Sequence, residues 1–86
     1  MQKRFQINLS SRARHNLKRI PMPWQARIVE AIDAISQNPF LGIKMWGELD
    51  NKRKVRIWPY RILYEVNEKQ AVIYILNIGH RGSIGY

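Results

Sequence analysis

The sequence predicts an α+β fold: a small, mostly antiparallel sheet of about four strands with two N-terminal helices packed on one face, in the order β-α-α-β-β-β. Three observations predict it. Phe5, Ile7 and Leu9 alternate with Arg4, Gln6 and Asn8, the period of a half-buried strand. Trp24, Ile28, Ala31, Ile32 and Ile35 recur at helical spacing. Residues 53–58, 60–66 and 71–78 then form three runs rich in β-branched and aromatic residues.

Each element has its own boundary signals. Ser10 or Ser11 can cap a short first helix over about residues 12–19, with Ala13, Leu17 and Ile20 along its inner edge. Pro21 stops it, because the residue before a proline resists helical dihedrals. Pro23 opens the second helix, and Asn38 with Pro39 closes it. Residues 40–50, with Gly42 and Gly47, read as a long connection that packs Leu41, Met45 and Trp46 under the fold. Pro59 marks a tight junction between two strands, where a ladder donor is missing. Residues 67–70 make a polar hairpin loop. The run 71–78 is almost continuously apolar, as in a central strand covered on both faces.

Composition limits the possible functions. At 86 residues there is material for one small core, so residues 1–86 are read as a single domain. Fifteen Lys plus Arg against six Asp plus Glu give a formal net charge of +9, which attracts polyanions. Nucleic acid, an acidic protein partner and an anionic membrane surface all fit that charge. The absence of cysteine excludes disulfides, thiolate nucleophiles and thiolate metal sites, and is compatible with the cytoplasm. Two well-separated histidines fall short of a ligand set, so no metal and no cofactor are expected. No run approaches the roughly 20 apolar residues that cross a bilayer, and no secretion signal opens the chain. The first 29 residues lack Asp and Glu, as transit peptides do, but they also read as folded structure.

Strand parity turns this layout into a site. With Val55 and Ile57 toward the helices, Lys54, Arg56 and Trp58 face away; with Ile62, Tyr64 and Val66 inward, Arg61, Leu63 and Glu65 face outward. Three cations then share the open face. Ile73, Ile75 and Asn77 have the parity of Arg81, which would carry that guanidinium to the same face. Solvated edge cations are the plain alternative for any one of these residues alone.

The order of elements, Trp46-Gly47 ahead of KVRIWPYRILYEV (residues 54–66) and the ending IGHR…Y resemble the RelE/ParE superfamily of toxins from toxin–antitoxin modules. The resemblance covers essentially the whole chain. Its most specific part, YRILYEV at residues 60–66, marks the superfamily without separating its ribonuclease branch from its gyrase-poisoning branch. An Arg at the end of the last strand with a Tyr soon after is similar to the RelE branch, whose members cut messenger RNA in the ribosomal A site. The resemblance therefore implies that Lys54 and Arg56 are the family's two alternating basic positions, Arg61 the Arg of the YR motif, and Arg81 and Tyr86 the C-terminal pair. It also implies a cognate antitoxin, the ribosome and mRNA as partners. Arg56 stands where a Lys is common in RelE-type members, so a two-lysine mechanism is not available.

Chemistry divides the roles. Metal-independent RNA cleavage needs a base for the 2′-hydroxyl, a proton for the leaving 5′-oxygen and positive charge around the phosphorane. Arginine keeps its proton, whereas lysine can act as base if neighbouring cations lower its pKa. Lys54 is the expected base, with Arg61, Arg81 and Tyr86 as the other catalytic candidates. Lys52, Arg53, Arg56 and His80 are the expected phosphate or RNA contacts, and stacking on a base is the milder role for Tyr86. His15, Glu30 and Asp33 read as solvated helix surface, and Tyr64 and Tyr74 as core or half-core aromatics. Two further readings stand beside the ribonuclease: a ParE-like gyrase inhibitor without chemistry, and a degenerate toxin that serves as an antitoxin-binding corepressor.

Overall fold

The computed structural model describes residues 4–45 and 51–80. In chain order they form β1 (Gln6–Leu9), α1 (Ser11–Arg19), α2 (Trp24–Gln37), β2 (Ile43–Lys44), β3 (Lys52–Ile57), β4 (Tyr60–Asn67) and β5 (Val72–His80). The described strands make one sheet in the order β1-β5-β4-β3-β2. β1 runs parallel to β5, and the other neighbours are antiparallel. The α+β class and the helical pair agree with the sequence reading. The sheet has one strand more than expected, because residues 43–44 of the anticipated connection pair with Lys54 and Arg53.

Local chemistry accounts for the helix ends. Ser10 adopts an extended conformation and its Oγ accepts from the Ala13 N–H at 3.0 Å, satisfying one of the donors left over in a first turn. The same hydroxyl donates to the Leu76 carbonyl at 2.8 Å, tying the cap of α1 to the middle of β5. α1 ends before Pro21, with Ile20 extended. α2 follows Pro23 and ends at Asn38. Its C-terminal turn is anchored to the residues leading into β1 by Phe5 N–H donating to the Ser36 carbonyl, and by the Arg4–Asp33 ion pair.

The helices cover one face of the sheet. Ala13, Ile20, Ile28 and Ile35 meet Ile62, Tyr64, Ile73, Ile75 and Ile78 in one core, with Leu17, Trp24, Ala31, Ile32, Val55, Ile57 and Val66 packed around it. β-branched isoleucine suits both roles, stiff in the strands and complementary on the helices. Of the connection's three apolar residues, Met45 is buried but Leu41 is 49% exposed, which corrects its expected place under the fold; Trp46 lies outside the described residues. Leu41 points away because the chain there is held by Gly42, the residue that docks on the core. Among the described residues no helix is long and apolar enough to cross a membrane.

A bulge in β5 corrects the expected parity of that strand. Ile62 pairs with Ile78 but Tyr64 pairs with Ile75, so two steps on β4 match three on β5. Ile73 and Ile75 are therefore core residues rather than open-face ones, and the extra residue shifts the alternation beyond them. Asn77 stands opposite Leu63, and its Oδ1 accepts from Asn16 Nδ2 of α1 at 3.0 Å.

Candidate nucleic-acid interface

The uncovered face of the sheet can be followed row by row, since antiparallel partners project from the same side. The first row is Arg56 opposite Arg61, with Gly79 next to Arg61 on β5. The second is Lys54 opposite Leu63. The third crosses four strands: Lys52, Glu65, Tyr74 and Asn8. Rows along one strand are about 7 Å apart and strands about 4.8 Å apart. Lys54, Arg56 and Arg61 thus occupy one end of the face within reach of a single phosphate, and Gly79 adds no side chain there to crowd it.

Two guanidiniums directly opposed across a ladder repel one another, and such like-charge pairs destabilise a sheet. A dianionic or monoanionic group lying over the pair would relieve the repulsion, and guanidinium forks match phosphate oxygens. The local sequence places them there because Val55 and Ile57 are held by the core, leaving positions 54 and 56 no other direction.

Other expected contacts fall elsewhere. Lys52 lies on the open face but is engaged by Glu65 at 3.3 Å and Asn51 Oδ1 at 3.2 Å. Arg53 has the parity of the core: it pairs with Tyr64, donates through Nη1 to the Gly42 carbonyl at 2.8 Å and the Phe40 carbonyl at 3.4 Å, and lies 4.9 Å from the Phe40 ring centroid. Its charge holds the segment leading to β2 rather than joining the open-face cluster. His80 pairs with Tyr60, makes an edge contact with its ring at 5.8 Å, and lines a groove of about 890 Å³ beside Arg12, His15 and Arg19 of α1. That groove belongs to the helix side, so His80 is not brought to Lys54 and Arg61. Trp58 is 62% exposed in the turn between β3 and β4. Arg81 and Tyr86 lie outside the described residues. No group of three or more His, Cys, Asp and Glu among the described residues could hold a metal ion.

One buried polar node on the covered side fixes the β2 edge of the sheet. The Tyr64 hydroxyl donates to the Pro39 carbonyl and accepts from the Gly42 N–H, both at 2.8 Å. Burial pushes the Tyr64 hydroxyl above the usual phenol pKa, partly offset by the Gly42 hydrogen bond and by the Arg53 charge. Gly42 must be glycine: a Cβ there would sit 2.8 Å from both the Lys54 carbonyl and the Tyr64 hydroxyl. The backbone of β3 at Lys54 is thereby wedged against a rigid segment. Sequence reasoning placed Tyr64 in the core but missed the node, because its partners are main-chain groups more than twenty residues away.

Two helices on one face of a five-stranded, mostly antiparallel sheet is the architecture of the RelE-like toxins. The family profile described as ParE toxin of type II toxin–antitoxin system, parDE, matches residues 7–85. Toxin RelG of Mycobacterium tuberculosis is 28% identical over 82 residues, covering 93% of this chain and 94% of that one. A chain of the toxin–antitoxin complex RelBE2 from the same organism superimposes with a TM-score of 0.81 at 28% identity, covering 91% of this chain and 99% of the other. The isolated Escherichia coli RelE toxin shares the fold, with a TM-score of 0.78 at 13% identity over 88% of this chain and 83% of that one. The chain belongs to the ParE toxin family and is a toxin of a type II toxin–antitoxin system.

Proposed function

We propose that this toxin is a metal-independent, ribosome-dependent endoribonuclease that cuts translated mRNA in the A site, and that a cognate antitoxin holds it inactive. The observation that carries the reading is the opposition of Arg56 and Arg61 with Lys54 one row away on an uncovered face. In this mechanism Lys54 is the base that takes the proton of a 2′-hydroxyl, whose oxygen attacks the adjacent phosphorus. Arg56 and Arg61 hold the non-bridging oxygens as charge builds on the phosphorane. The bond from phosphorus to the 5′-oxygen breaks, leaving a 2′,3′-cyclic phosphate and a 5′-hydroxyl that takes up a proton. Arg81 and Tyr86 are proposed to assist at the leaving oxygen or by stacking on a base. Support for the antitoxin comes from RelBE2, where the similar toxin fold occurs in a toxin–antitoxin complex. The basic surface here suits an acidic or amphipathic segment.

A second reading is favoured by the family profile itself, which is that of ParE toxins: inhibition of DNA gyrase with the strands as scaffold. Mapping RNA 5′ ends on translated and untranslated copies of one message separates the two. Cuts confined to the translated copy, and lost with Arg61→Ala and with Arg81→Ala, are the result expected of the nuclease. Growth arrest with DNA damage and intact messages would instead identify gyrase as the target.

A further inference from the structure

We propose that the third row of the open face is a nucleobase pocket that favours guanine, with Tyr74 as the stacking platform and Glu65 as the acceptor that selects the base. The proposal rests on the ribonuclease reading and deepens it. Glu65, Tyr74 and Asn8 are consecutive partners across β4, β5 and β1, and with Ser10 and Leu76 they line a cavity of about 290 Å³. It lies one row beyond Lys54 and Leu63, about 7 Å along the strands. A phosphate held by Lys54 and Arg61 therefore places the base of an adjoining nucleotide over this row.

The charge pattern makes Glu65 informative. It is the one acidic residue in the described strands, and it stands on a face whose other charges are Lys52, Lys54, Arg56 and Arg61. A carboxylate weakens the hold on a phosphodiester, and a partly exposed ion pair such as Lys52–Glu65 contributes little to stability. An acceptor-only group is useful where hydrogen-bond donors must be recognised. Lys52 and Asn51 both contact Oε1, which fixes the carboxylate and leaves Oε2 to accept from a ligand. Guanine presents N1–H and N2–H₂ side by side and meets a carboxylate with donors only. Adenine and cytosine set a ring acceptor beside the amino group, and uracil flanks its N–H with two carbonyls. Single-stranded RNA is commonly read in this way, by stacking on an aromatic ring and hydrogen bonding along the Watson–Crick edge.

The test maps cut sites across translated messages for the full-length toxin, for Glu65→Gln and for Tyr74→Ala. The wild type is expected to show guanine enriched at one fixed position relative to the cut. Glu65→Gln is expected to lower that enrichment about fivefold while cutting continues. Tyr74→Ala is expected to slow cutting at every site about tenfold. Wild-type cutting without a base preference at any fixed position, or an unchanged distribution in Glu65→Gln, would overturn the pocket and leave the nuclease standing. So would a Glu65→Gln protein that escapes its antitoxin yet keeps the wild-type base pattern, since the pocket would then serve a protein partner. A wild type that cuts no RNA overturns the ribonuclease reading, and the pocket with it.

Discussion

The two faces of this sheet are built on opposite principles. On the covered face β1, β3, β4 and β5 each contribute apolar residues to one core, and the buried Tyr64 hydroxyl has both a donor and an acceptor as partners. On the open face Arg56 opposes Arg61, and an acid is set among cations. The first arrangement lowers the energy of the folded chain, whereas like charges directly opposed across a ladder do not. Residues that contradict good packing beside residues that satisfy it mark where the chain was shaped for something other than its own fold.

The largest effect should come from breaking the covered face. Ile73→Ala removes a fully buried side chain and is expected to cost about 2–5 kcal/mol, read as a lower midpoint in urea. Next is Arg61→Ala, which should slow cutting on the order of a hundredfold without lowering the urea midpoint. Tyr64→Phe leaves the Gly42 N–H and Pro39 carbonyl without their partner and should cost about 1–3 kcal/mol. Its pH dependence sharpens the assignment. Because the folded-state pKa of Tyr64 is raised, its contribution is fully present below about pH 10, the unfolded value, and is lost as pH rises through the folded one. Wild type should therefore lose stability more steeply in alkali than Tyr64→Phe. The smallest effect has the opposite sign. Arg56→Gln relieves the cross-strand repulsion and should raise stability by about 0.2–1 kcal/mol while cutting falls.

Much of this division was legible in the sequence, for a physical reason. Alternation at residues 54–57 and the helical spacing of Ile28 and Ile35 follow from local geometry, so the open-face positions of Lys54 and Arg56 and the buried stripe of α2 could be read directly. Non-local facts were hidden. The strand at Ile43–Lys44 is too short to carry a period. The bulge in β5 depends on how β4 and β5 pair, with Ser10 bonded to Leu76 at the extra residue, and it moved Ile73 and Ile75 to the core. Arg53 was grouped with its cationic neighbours because its carbonyl partners lie eleven and thirteen residues away. Glu65 was assigned to the outer face, yet its row with Tyr74 and Asn8 became visible only once the register was known.

The central claim is that Arg56 and Arg61 grip one phosphate together. Single-turnover cutting of a message on stalled ribosomes, measured for wild type, Arg56→Gln, Arg61→Ala and the double variant, tests it most directly. Two groups acting on the same charge should be coupled, so the double variant is expected to be slowed less than the product of the two single effects. Independent, multiplying effects, or single variants that cut at the wild-type rate, would contradict it.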